Sequence, residues 1–65
     1  MPEFVLTPAH VAVLESAVHS GKTVPVGQPM VAVAELAHFG YLTYEGNEVY
    51  TIAPPGIRVL GEINR

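Results

Sequence analysis

The chain has 65 residues, of which 49% are hydrophobic and 14% charged, and its three Lys and Arg against six acidic residues give a formal net charge of −3. It contains no cysteine, which excludes disulfides and thiolate metal sites, and the acidic balance argues against a surface built to track phosphates. A chain this short buries only about 60% of the surface its unfolded form exposes, so it depends on tight packing or on association.

The length predicts one domain over residues 1–65. The opening Met1-Pro2-Glu3-Phe4 has no basic stretch, and no apolar run approaches the roughly 18 residues of a membrane span. The expected setting is therefore the cytoplasm. So much apolar surface on so small a body predicts contact with a protein partner or a homodimer.

In chain order, Thr7 and Pro8 open a first helix, with the threonine as N-cap and the proline at N1. Leu6 and Val11 have the spacing of a hydrophobic staple. Val11, Leu14 and Val18 form the expected inward stripe, and Glu15 and His19 an outward pair. Ser20-Gly21 ends the helix, with the glycine left-handed. Lys22 to Gln28 reads as a connector holding one extended piece, Thr23–Val26, confined by Pro25 to an edge strand or a loop.

Pro29 is expected at N1 of a second helix, with Met30, Val33, Leu36 and Ala37 inward and Val31, Glu35 and His38 outward. Gly40 stops it, and the Leu36 and Tyr41 spacing predicts a Schellman ending. Tyr41–Ile52 reads as a hairpin around Glu45-Gly46-Asn47. A two-residue Gly46-Asn47 loop would set Glu45 against Glu48, and like charges across a pair repel. The preferred reading is a three-residue loop with Asn47 left-handed and Leu42, Tyr50 and Ile52 on one face. Pro54 then begins a last helix, with Ile57, Leu60 and Ile63 inward. Gly56 and Gly61 are each expected to weaken it by about 1 kcal/mol.

The sequence Leu36-x-x-x-Gly40-Tyr41-Leu42, followed by Tyr50-x-Ile52 and Pro54-x-Gly56-x-x-x-Leu60, resembles the second half of winged-helix proteins. The resemblance is to the small transcriptional regulators of bacteria and phages, and it covers about half the chain. It implies an α+β fold, a reduced winged helix ordered α, short β, α, β-hairpin, α. Residues 29–39 would take the recognition-helix place and Glu45-Gly46-Asn47 the wing tip. Three departures stand out. There is no room between Gly21 and Gln28 for the family's additional helix. Ala53 stands where a capping threonine often precedes the proline. Residues 29–39 and 41–52 contain no Lys or Arg.

That last departure points to a non-catalytic protein–protein interaction or regulatory module of phage or bacterial type. The candidate partner-binding residues are Val31, Glu35, His38, Phe39, Tyr44 and Glu45, with Val31, Phe39 and Tyr44 as a sticky patch. The alternative is a DNA-binding regulator, acting as a dimer that places the second helix in the major groove. Lys22, Arg58 and Arg65 would then contact phosphates.

Reactive constellations are missing. Gly21-Lys22-Thr23 echoes the end of a phosphate loop, but Ser16 stands where that motif needs its first glycine, and a helix precedes it. His10 and His19 fall on opposite faces of the first helix, so surface or half-buried roles are expected for the histidines rather than metal ligation. Ser16, His19 and Ser20 crowd one helix end, where a nucleophile and base cannot align. No enzyme activity, cofactor, metal or small-molecule ligand is expected.

Overall fold

The computed structural model describes residues 5–63; Met1–Phe4 and Asn64–Arg65, and with them the proposed phosphate contact of Arg65, lie outside the described residues. The order is α1 (Pro8–His19), α2 (Met30–His38), β1 (Leu42–Gly46), β2 (Val49–Ile52) and α3 (Pro54–Ile63). It is an α+β arrangement of three helices with one antiparallel hairpin.

The start of α1 is as expected. Thr7 is the N-cap in extended conformation, and His10 at N3 completes a capping box in the place more often held by Glu or Gln. The inward stripe differs from the expectation. Val13, Leu14 and Ala17 are fully buried while Val18 is exposed. Residues 8–19 are apolar around most of the helix, so spacing alone left its rotation open. At the far end Gly21 has φ +71°, and the Lys22 N–H donates to the Ala17 carbonyl at 2.7 Å. This is the six-to-one bond of a Schellman ending.

The connector does pair with the hairpin, through one bridge. Thr23 lies opposite Thr51, the Val24 N–H donates to the Tyr50 carbonyl, and the Ile52 N–H donates to the Lys22 carbonyl, both at 2.9 Å. Alternation along a strand turns the backbone of Pro25 outward, where its missing N–H costs no bond.

In α2, Pro29 is the N-cap rather than N1, with no side-chain cap bond. Ala32, Val33 and Leu36 are buried, but Met30 is 65% exposed, contrary to its expected place in the stripe. The ending is as read from the spacing: Gly40 has φ +86°, and the Tyr41 N–H donates to the Leu36 carbonyl at 2.8 Å.

The hairpin register is neither of the two weighed from sequence. Leu42 faces Ile52, Tyr44 faces Tyr50 and Gly46 faces Val49, with a bulge between Tyr44 and Gly46. Asn47 and Glu48 both have positive φ, 52° and 62°, as a two-residue type I′ turn requires. The bulge leaves Glu45 unpaired in the ladder. It thus avoids the Glu45–Glu48 repulsion by another route, and Thr51 donates its hydroxyl proton to Glu45 Oε2 at 2.9 Å. Leu42, Tyr50 and Ile52 do share one face, as expected.

The core joins Val13, Leu14 and Ala17 to Ala32, Val33 and Leu36, with Leu42, Ile52 and Leu60 closing it. Each fully buried Leu or Val contributes about 1.5–3 kcal/mol. In α3 only Leu60 of the expected inward trio is buried; Ile57 and Ile63 are exposed. Gly56 has a different role from the one expected. A Cβ there would sit 2.6 Å from the Tyr41 carbonyl oxygen and 2.9 Å from Ile52 Cγ1. The absent side chain is what lets α3 approach the sheet.

Candidate functional site

The two flanks of α2 carry different chemistry, set by roughly 100° of rotation per residue. Glu35 lies on one flank. There His10, only 5% exposed, receives the Thr7 N–H on Nδ1 at 2.9 Å. An accepting Nδ1 fixes the neutral ring with its proton on Nε2, and Nε2–H then donates to Glu35 Oε1 at 2.8 Å. This pair ties the start of α1 to the middle of α2. His10 is therefore a buried structural group rather than the surface or half-buried one expected. Glu35, expected to face away for a partner, is held within the chain, with its side chain 50% exposed.

The opposite flank carries Met30 and Val33. They face a cleft of about 400 Å³, whose other walls are residues 23–28 of the connector and 47–50 of the turn and β2. Val24, Pro25, Val26, Val49 and Tyr50 make those walls mostly apolar. Val26 is fully exposed and Val49 is 39% exposed. Thr23, Gln28, Asn47 and Glu48 supply the polar positions, and Glu48 alone among the lining residues is charged.

The side chains singled out from sequence divide between helix and hairpin. Val31, Glu35 and His38 share the outer face of α2, and Val31 is 72% exposed. Phe39 lies about eight residues, or 12 Å of rise, beyond Val31, its ring set edge-on to His38 with centroids 5.0 Å apart. Tyr44 packs on Tyr50 at 4.9 Å between centroids, and its hydroxyl accepts the Glu48 N–H at 3.2 Å. Glu45 is turned to the other face of the sheet by its bond to Thr51. Tyr44 and Glu45 thus lie on opposite faces of the hairpin, and Glu35 is bonded within the chain.

The sequence reading missed Val26, Met30 and Val49. A signal was present: Val24-Pro25-Val26 places two apolar residues where neither helical spacing nor a full strand could hide both. The cations are apart as well. Lys22 ends the first connector turn and Arg58 is exposed on α3, while α2 and the hairpin carry neither Lys nor Arg. Among the described residues no helix is long and apolar enough to cross a membrane. Comparison with protein-family models, with curated proteins and with solved structures gives no match.

Proposed function

We propose that this chain is a non-catalytic protein–protein interaction module of reduced winged-helix design, acting as a regulatory or accessory protein. The observation that carries the reading is the pairing of an open apolar cleft along α2 with the missing cations on α2 and the hairpin. The element order α1, bridged connector, α2, hairpin, α3 supports the winged-helix part. An apolar cleft with exposed rims excludes water readily and suits a protein surface. The outer face of α2 offers a groove-seeking helix one valine, one glutamate and a histidine, which is poor equipment for phosphate neutralisation.

A salt series of DNA titrations tests this. With a short mixed-sequence duplex, binding is expected to be undetectable at low salt. A protein that neutralises Z phosphates loses affinity with a log–log slope of about −0.9Z. Tight binding that collapses steeply between low and moderate salt would overturn the reading in favour of a DNA-binding dimer.

A further inference from the structure

We propose that the cleft flank is covered by the same flank of a second copy of this chain, in a two-fold contact that pairs Lys22 with Glu48 of the partner subunit. This rests on the interaction-module reading and names its partner. The register carries the argument. The connector runs antiparallel to β2, with Thr23 opposite Thr51 and Val24 bonded to Tyr50. Lys22, one residue before the first lining residue, therefore stands just past one end of the cleft, its carbonyl bonded to Ile52, and Val26 lies at the other, beside the turn that holds Glu48. Between the two ends lie Val24, Val26, Met30 and Val49, exposed or half-buried.

An apolar strip with a cation at one end and an anion at the other is complementary to itself when turned end for end. A two-fold axis across its middle sets each lysine against the opposing glutamate, and an isologous contact needs that self-complementarity. The remaining acidic side chains among the described residues, at Glu15, Glu35, Glu45 and Glu62, are not among the lining residues. Main-chain strand pairing is not the mode, because Pro25 presents no N–H along the outer edge of the connector. Side chains make the contact. Twelve residues line the cleft, against roughly 20–30 a side in a standard interface, so the dimer is a reversible one.

Sedimentation equilibrium from about 10 μM to about 1 mM spans the affinities such a contact gives. The wild-type chain is expected to shift from monomer to dimer across that range. Val26→Lys, at a fully exposed position, is expected to keep the melting temperature and raise the dissociation constant about tenfold or more. Lys22→Glu and Glu48→Lys are each expected to raise it about threefold, and the double exchange to restore it within about twofold. Val49→Lys serves as a second apolar variant, and circular dichroism melts verify the fold of each. A wild-type chain that stays monomeric to about 1 mM, open-ended association, or a double exchange no better than the single ones would overturn the proposal. A monomer that also ignores DNA leaves the interaction-module reading standing, whereas a steep salt slope with DNA removes that reading itself.

Discussion

On one flank of α2 a buried histidine and a glutamate close the gap to α1; on the other, Met30 and Val33 look onto a cleft with apolar walls. The first flank contains polar groups, and their partners are all within the chain. The second leaves Met30 against water, with Val33 buried at its base. Helix α2 makes both from nine residues, because rotation alone separates Glu35 from Val33. The lesson is that Glu35, which looks functional in a sequence, holds the fold, while Met30, which looks like a core residue, is left available.

Several substitutions break or sharpen that contrast. The largest loss is expected away from both flanks, where α3 meets the hairpin and α1, at Gly56→Ala. Its Cβ would meet the Tyr41 carbonyl oxygen at 2.6 Å, and that oxygen already accepts the Ala53 N–H at 3.0 Å. Overpacking against backbone is expected to cost about 2–3 kcal/mol despite the better helix propensity of alanine, which is a fall of roughly 10 °C or more in melting temperature for a domain this size. Gly61→Ala, with nothing within 4 Å of the added methyl, is expected instead to gain up to about 1 kcal/mol. Urea unfolding of the two variants reads both signs.

Next comes the closed flank. His10→Ala removes the return bond of the capping box and the contact to Glu35, and is expected to cost about 2 kcal/mol. Glu35→Gln keeps an oxygen for the Nε2–H and is expected to cost less than about 1 kcal/mol. Equal losses in the two variants would show that the carboxylate charge, and not the hydrogen bond, holds this corner. The smallest effect is expected on the open flank: Met30→Ser, at a 65% exposed position, is expected to move stability by no more than about 0.5 kcal/mol.

Much of the fold was legible because its punctuation is local. Thr7-Pro8, Gly21, Gly40 and Pro54 fix starts and stops by backbone rules that need no tertiary knowledge. The rotation of α1 was not legible, since a helix apolar on most sides gives no preferred face and Val18 looks as inward as Val13. The hairpin register was not legible either: a bulge at Glu45 and a positive φ at Glu48 satisfied the charge constraint in a way that loop counting does not generate. Gly56 was misread as a weak point because close approach is a property of two elements together. The candidate surface suffered most. Glu35 looked free because His10, twenty-five positions away, is invisible from α2.

Amide spectra recorded over rising protein concentration test the uncovered flank most directly. The account predicts progressive shifts concentrated in residues 23–30 and 47–50, with residues 34–39 and 43–45 nearly still. Shifts centred on Val31, His38, Phe39 and Tyr44, or spectra that do not change with concentration, would contradict it.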